Sequence, residues 1–431
     1  MIHRVSRPRF DWGAPTAPLA IAALVAPLAA VLQSKAMTPV ALLALVACVL
    51  LARRAHGAWP WPRGGAVWAG LALGAWGTAS ALWALEPGRA LTAGLSLMGL
   101  VLLTGAAGRA AAADSPENRR LFGHALLAGL VLGLAAAVLD HATDSGLRAA
   151  VRGLRTIPPE LAFGLKPAIS LLALLLPLLA GTAFPPRLQA VLLVLGGGIV
   201  LWLPGDTARI AMLAGLAAVA AAAVETRRRH QPRTVPLLLG TAMALVVVAT
   251  PLALPSALAR VAPVVERLPP SAIHRLVIWD FALEAAALKP LQGWGMEAAR
   301  ALPGGKGHPE PERLARLGVH SPALDVWFAA PHLELMPLHP HNGPLQIRLE
   351  LGWAGSLLAA TALLLLGLAA RWLAAAAAAC GAMASAFVTF LASFGVWQSW
   401  WLCSVALAAA FAAALLPLRR SGPAGDTTPA L

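Results

Sequence analysis

The sequence predicts an all-α polytopic membrane protein, on three observations. Of 431 residues, 59% are hydrophobic and 12% charged, with a mean hydropathy of +0.73, more apolar sequence than a soluble core absorbs. The apolar residues recur in runs of about 18–20, the length of a transmembrane helix, where a membrane β-barrel would show short alternating segments. Arginines gather in the short connections between alternate runs, as the positive-inside bias of membrane helices requires.

About twelve runs qualify as spans. They lie at about 15–32, 38–52, 66–84, 89–107, 121–139, 162–181, 187–204, 207–224, 235–252, 343–368, 372–391 and 396–417. Arg4, Arg7 and Arg9 precede the first run. Arg53, Arg54 and Arg63 follow the second, and Arg109, Arg119 and Arg120 follow the fourth. Arg187 follows the sixth, Arg227, Arg228, Arg229 and Arg233 the eighth, Arg371 the tenth, and Arg419 and Arg420 the last. With twelve crossings all of these fall on one side, which is then cytoplasmic, together with both termini.

The organisation that follows is residues 1–252 for spans one to nine and 253–342 for a large periplasmic loop domain with short helices. Residues 343–418 hold spans ten to twelve, and 419–431 form a disordered cytoplasmic tail rich in Pro, Gly and Thr. The first apolar run has a basic start without a small-residue cleavage site and reads as a retained helix.

The net charge of +14 would suggest nucleic acid in a soluble chain. Here topology accounts for it, and nucleic acid is not an expected partner. Cys48, Cys380 and Cys403 all lie in apolar runs and read as small packing residues, without disulfide or Cys/His metal spacing.

The long loop carries most of the interest, because long connections in compact bundles tend to be functional. Ser271 to Leu288 reads as a helix, with Leu276, Trp279 and Leu283 at helical spacing, Asp280 and Glu284 on another side, and Lys289-Pro290 ending it. Gly293-Trp294-Gly295 and the glycines 304, 305 and 307 mark turns, and the Pro- and His-rich stretch 303–340 reads as the mobile part.

The loop ends at His339-Pro340-His341-Asn342-Gly343-Pro344, which runs directly into the tenth span. A histidine is thereby held at the mouth of a membrane helix. Gly352 and Gly355 lie three residues apart, where small residues let another helix approach closely. Arg209, at the start of the eighth span, and Arg275, on the loop helix, fall on the same non-cytoplasmic face as His341.

Each of these has a plain structural reading as well. His341 can cap a packed helix, Arg209 can snorkel or pair with Asp206, and Arg275 can sit on a solvated face. Arg300, Arg313, Arg316 and Arg348 share the face. Together the group suggests an anion site, since guanidinium forks bind phosphate oxygens in pairs. A neutral imidazole beside positive charge suits a general base. The sequence shows no carboxylate cluster of the kind that holds Mg²⁺, so neither a metal nor a cofactor is expected.

At these residues the chain resembles the O-antigen ligase superfamily, which takes in lipopolysaccharide O-antigen ligases, O-antigen polymerases and protein O-oligosaccharyltransferases. The ligase pattern is His, then Asn, Ser or Gln, nine residues, Gly, two residues, then Gly, Thr or Tyr; His341-Asn342, residues 343–351, Gly352, Trp353-Ala354 and Gly355 match it. His274-Arg275 through Trp279, followed by Pro290-Leu291-Gln292-Gly293-Trp294-Gly295, resembles the family's loop segment. Ala79 to Leu91 resembles an early signature. The family often has Ser-Arg where this chain has Thr207-Ala208-Arg209.

The resemblance implies a membrane glycosyltransferase without metal or cofactor, in the bacterial inner membrane, with its active site on the periplasmic face. The implied donor is a glycan on undecaprenyl pyrophosphate. The implied acceptor is a hydroxyl of lipid A–core, or of another repeat or a protein in the sister activities. His341 would be the base, and Arg209 and Arg275 would hold the pyrophosphate. Asn342 would orient the imidazole or the acceptor, and Lys166 and Arg152 are candidate substrate contacts. A transporter of polyprenyl-linked glycans is the alternative of another class. It would place charge and broken helices near mid-membrane, whereas the basic groups here cluster at one face.

Overall fold

The computed structural model describes residues 11–229, 233–331 and 333–417. The predicted tail at 419–431, and Arg4, Arg7, Arg9, Arg419 and Arg420, lie outside the described residues. Among the described residues every regular element is helical. The first nine α-helices are α1 Ala17–Leu32, α2 Met37–His56, α3 Gly65–Ala79, α4 Pro87–Ala112, α5 Pro116–Ala142, α6 Gly146–Val151, α7 Leu165–Leu175, α8 Pro186–Trp202 and α9 Asp206–Arg229. Then come α10 Thr234–Val261, α11 Pro270–Leu288, α12 Pro311–Arg316, α13 Pro322–Phe328, α14 Gly343–Ala370, α15 Ala376–Ala392 and α16 Ser399–Ala414.

Each predicted run contains a helix. Seven stretches are long and apolar enough to cross a membrane: Ser34–His56, Pro87–Ala112, Pro116–Ala142, Pro159–Gly181, Asp206–Arg229, Thr234–Arg267 and Gly343–Ala370. Four shorter apolar helices, α1, α8, α15 and α16, accompany them, and α3 has 15 residues. The figure of about twelve crossings counts these shorter helices as well.

Packing fixes directions. Thr16, just before α1, donates its amide (3.0 Å) and hydroxyl (2.6 Å) to Asp114, just before α5. The two helices therefore start at the same end. Arg119 caps the end of α16 through the carbonyls of Ala413, Ala414 and Leu415, and Arg109 reaches Trp61 O at 3.3 Å. One end of the bundle thus collects α1 and α5 starts, α4 and α16 ends, and their arginines. These side chains neutralise carbonyls that a helix C-terminus leaves unpaired.

The core of the bundle is built mainly of Ala and Leu from α1, α2, α5, α7, α9, α15 and α16. Almost all of α7 is buried, so it is the central post. Ser385 Oγ donates to Ala211 O at 2.9 Å, and Gly381 packs on Gly215 and Val219. These contacts set α15 antiparallel to α9. Gly240 and Gly367 meet backbone to backbone where α10 crosses α14, the close approach small residues allow without the help of hydrophobic collapse.

The loop has a core of its own. Val265, Ile273, Val277, Leu314, Phe328, Leu335 and Met336 pack with Leu345 and Leu349 of α14. The loop helix, expected from Ser271, begins at Pro270. Its acidic side, Asp280 and Glu284, holds Arg313 and Arg316 at 2.5–2.7 Å and so ties α12 down. Two of the loop arginines, Arg313 and Arg316, are therefore occupied. Within the stretch expected to be mobile, Leu335 and Met336 donate to Gly307 O (2.9 Å) and Gly305 O (2.7 Å).

The main departure from the expected architecture is inside α14. Gly352 has φ 67°, ψ −163°, a conformation that breaks the helix. The segment Pro290–Gly295 enters the break. Trp294 N and Gly295 N donate to Leu349 O (3.1 Å) and Glu350 O (2.8 Å), and Trp353 N and Ala354 N donate to Pro290 O (3.0 Å) and Leu291 O (3.3 Å). Trp76 Nε1 takes Leu351 O at 3.0 Å. A Cβ on Gly352 would strike Leu291 main chain, and one on Gly293 would strike Glu350 main chain. Its spacing from Gly355 predicts that Gly352 admits a neighbouring helix; it admits the turn at Pro290–Gly295 instead. The part after the break, to Ala370, is about 27 Å long at 1.5 Å per residue, close to hydrocarbon thickness.

Candidate functional site

The site forms where α15 ends. A helix leaves its last carbonyls without intrahelical partners. The carbonyl of Ser393 lies 2.7 Å from Nδ1 of His341, and that of Ala392 lies 3.5 Å from Nη1 of Arg275. The helix end, with its partial negative charge, therefore gathers an imidazole from the start of α14 and a guanidinium from α11.

His341 is placed by its main chain. Its φ is +53°, a left-handed conformation uncommon outside glycine. Its amide donates to His339 Nδ1 at 3.2 Å, and the two rings are 4.2 Å apart. Next to it, Asn342 is the N-cap of α14: its side-chain oxygen accepts from Leu345 N at 3.1 Å. Trp279 Nε1 donates to Pro340 O at 2.7 Å, fixing the residue between the histidines.

These bonds assign the tautomers. A carbonyl only accepts, so His341 Nδ1 carries the proton and Nε2 is left with a lone pair. Burial pushes the His341 pKa below the ordinary imidazole value; the Ser393 bond opposes this, and the charges of Arg275 and His274 reinforce it. His339 is held lower still, at about 3, by burial and then by His341, Arg300 and Arg275. Arg275, whose own pKa is lowered by desolvation, thus reaches both rings electrostatically.

A small pocket opens behind His339, lined by Glu297, Arg300, Gln346, Glu350, Trp397 and Gln398 among others. Glu350 is fully buried. Sequence reasoning passed over it and over His339 and Gln346. The available signal was Gln346 and Glu350, one helical turn apart and, with Arg348 between them, polar at the start of a membrane span.

The other predicted residues stand apart from this pair. Arg209 lies at the start of α9, with Nε on Leu203 O (3.1 Å) and Nη1 on Asp206 (3.1 Å). The antiparallel pairing of α9 with α15 puts it at the same end of the bundle as Ser393. Lys166 lies against Gly205, in the turn before Arg209, with its ammonium 5.1 Å from the Phe163 ring centre. Arg152 donates to Leu32 O at 3.3 Å, closing the end of α1. The structure thus joins His341, Asn342 and Arg275 directly. Arg209 and Lys166 form a second basic group, and Arg152 a third position. Among the described residues no group of three or more His, Cys, Asp or Glu side chains gathers as a metal would need.

Fold and site together define a polytopic helical membrane protein with a half-buried imidazole and an exposed guanidinium at one mouth of the bundle. Residues 190–360 match the family model described as O-antigen ligase. That stretch includes Arg209, the loop and His341. Curated relatives agree in kind. A protein of Rickettsia prowazekii named "Putative polysaccharide ligase" is 28% identical over 144 residues. Proteins with the same description from Rickettsia conorii and Rickettsia bellii are 30% identical over 140 residues and 31% over 146. In each case the match covers 31% of this chain and 30% of the relative. No solved structure matches. What the matches support is a membrane polysaccharide ligase or polymerase.

Proposed function

We propose that this protein transfers a glycan from undecaprenyl pyrophosphate to an acceptor hydroxyl, with lipid A–core as the acceptor, in the manner of an O-antigen ligase. The reaction takes place at the outer mouth of the bundle, on the periplasmic side of the bacterial inner membrane. The observation that carries this reading is the His341–Ser393 bond: it fixes Nδ1–H and leaves Nε2 as a base, beside the Arg275 charge.

His341 Nε2 takes the proton of the acceptor hydroxyl. The oxygen forms a bond to the anomeric carbon, and the bond from that carbon to the phosphate oxygen breaks on the opposite side, inverting the centre. The pyrophosphate leaves with the electron pair. Arg275, and across the same end of the bundle the second basic group of Arg209 and Lys166, offer positive charge where negative charge grows, the effect that is largest in most enzymes. The phosphoanhydride is already activated, so the scheme takes neither nucleotide sugar nor metal. Depressed basicity of His341 suits it, because the imidazole stays neutral at neutral pH.

The discriminating experiment compares surface glycolipids of a deletion strain complemented with the native chain or with His341→Ala. Loss of all attached polymer, with lipid-linked polymer accumulating, supports a ligase. A single attached repeat instead indicates a polymerase, and intact glycolipid with unglycosylated protein indicates an oligosaccharyltransferase. Normal attachment in His341→Ala removes the assigned base.

A further inference from the structure

Glu350 is a carboxylate with no exposed surface, and nothing in the transfer scheme uses it. Its Oε1 accepts from Gln346 Nε2 (3.1 Å) and Ala299 N (3.3 Å), and its Oε2 from Glu297 N (2.8 Å) and Trp397 Nε1 (2.5 Å). Four N–H donors thus converge on two oxygens. They come from three places: α14 itself, the loop after Gly295, and the connection from α15 to α16. Gln346 extends the reach, because its own oxygen accepts from Val396 N at 3.0 Å.

The connection held in this way is the one that begins at Ser393. Val396 and Trp397 are anchored three and four residues past the carbonyl that meets His341 Nδ1. On the other side, Glu297 precedes and Ala299 lies within the short helical turn bearing Arg300, which pairs with Glu297 at 2.6 Å.

We infer that Glu350 is a positioning residue: its carboxylate fixes the turn after α15, so that the Ser393 carbonyl holds the His341 ring with Nε2 directed to the acceptor. This rests on the reading of His341 as the base. Glu350 acts through Gln346, Val396 and Trp397, with no contact of its own to the imidazole.

The chemistry demands an ionised carboxylate. Glutamine has the same size, but its NH₂ would face two N–H donors on whichever side it lay. Glu350→Gln therefore loses two of the four bonds and frees the turn. Misplacement of a base by about 1 Å costs up to about 100-fold in rate. The groups facing His341 in such a variant are unchanged: Arg275 and His274 from α11, His339 from the start of α14, and, by way of His339, Arg300. Of the influences on the imidazole, the Ser393 bond alone weakens. That bond favours the protonated form, so its loss moves the acid limb of the pH profile to lower pH.

The test uses purified full-length protein in detergent, a synthetic undecaprenyl-pyrophosphate-linked oligosaccharide and lipid A–core. In Glu350→Gln, kcat falls about 10- to 100-fold, the donor KM stays within about twofold, and the acid limb shifts acidward. Trp397→Phe removes one donor without adding a clash; it moves kcat and the limb the same way by less, and it carries the test if Glu350→Gln does not fold. Native kcat, or a fall in kcat with an unmoved pH profile, overturns the inference while His341→Ala remains inactive. An active His341→Ala overturns the base assignment instead.

Discussion

Ser393 and His341 meet at 2.7 Å, carbonyl oxygen to Nδ1, and the carbonyl one residue earlier, Ala392, meets Arg275. A single helix end therefore sets both the tautomer of the imidazole and the place of the nearest guanidinium. In many enzymes a carboxylate orients the histidine and raises its basicity. A neutral carbonyl orients without adding charge: burial lowers the basicity, the Ser393 bond offsets part of that, and the Arg275 charge lowers it further.

A pH dependence follows. The folded His341 has a pKa below the ordinary value of about 6.5. The neutral, proton-accepting form therefore persists as pH falls through that value, and kcat/KM holds constant there before declining in more acid solution. Removing the Arg275 charge, as in Arg275→Gln, withdraws an influence that disfavours imidazolium. The limb then moves to higher pH, in addition to any loss of donor affinity. A profile for Arg275→Gln with its limb unmoved would show that the guanidinium does not act on the base.

The two basic groups are separable by conservative substitution. Lysine keeps the charge of arginine but not its paired donors. Arg275→Lys and Arg209→Lys are each expected to lose about 10-fold or more in transfer, since one bidentate contact is worth about 1.5–3 kcal/mol. The loss appears in the kinetics of the lipid-linked donor. Arg209 already pairs with the exposed Asp206, so Asp206→Asn should leave activity near native. Full activity of Arg209→Lys would reduce that arginine to a snorkelling side chain.

The helix break makes a prediction about stability. Gly352→Ala puts a side chain at φ 67° and against Leu291 main chain. Strain of this kind costs about 1–3 kcal/mol before the backbone displacement is counted. Gly293→Ala meets Glu350 main chain in the same way. Both variants should lower the melting temperature in detergent clearly. An unchanged melt in either would show that α14 can run straight.

How much of this was readable from the chain differs by element. The apolar runs were legible because lipid demands long, continuous apolar helices. Lys289-Pro290 marked the end of α11 for the local reason that proline cannot continue a helix. Gly352 was visible as a glycine, but its work was not: the residues beside it all suit a continuing helix, and the segment that enters the break arrives from some sixty residues upstream. Ser393 and two of the four donors around Glu350 act through main-chain atoms, which carry no signature in side-chain type. That Arg209 lies at the opposite end of the bundle from Arg109 and Arg119 was legible from charge topology; its pairing with Asp206 was one of two readings, and the structure shows that pairing.

The four main-chain bonds across the break have a mechanical consequence. The base of the long loop is stitched into the stem of the bundle on both sides of Gly352, so it cannot lift away as a hinged door. Under the proposed reaction, donor and acceptor then meet His341 from the flanks of the bundle, the side on which a fatty anchor lies.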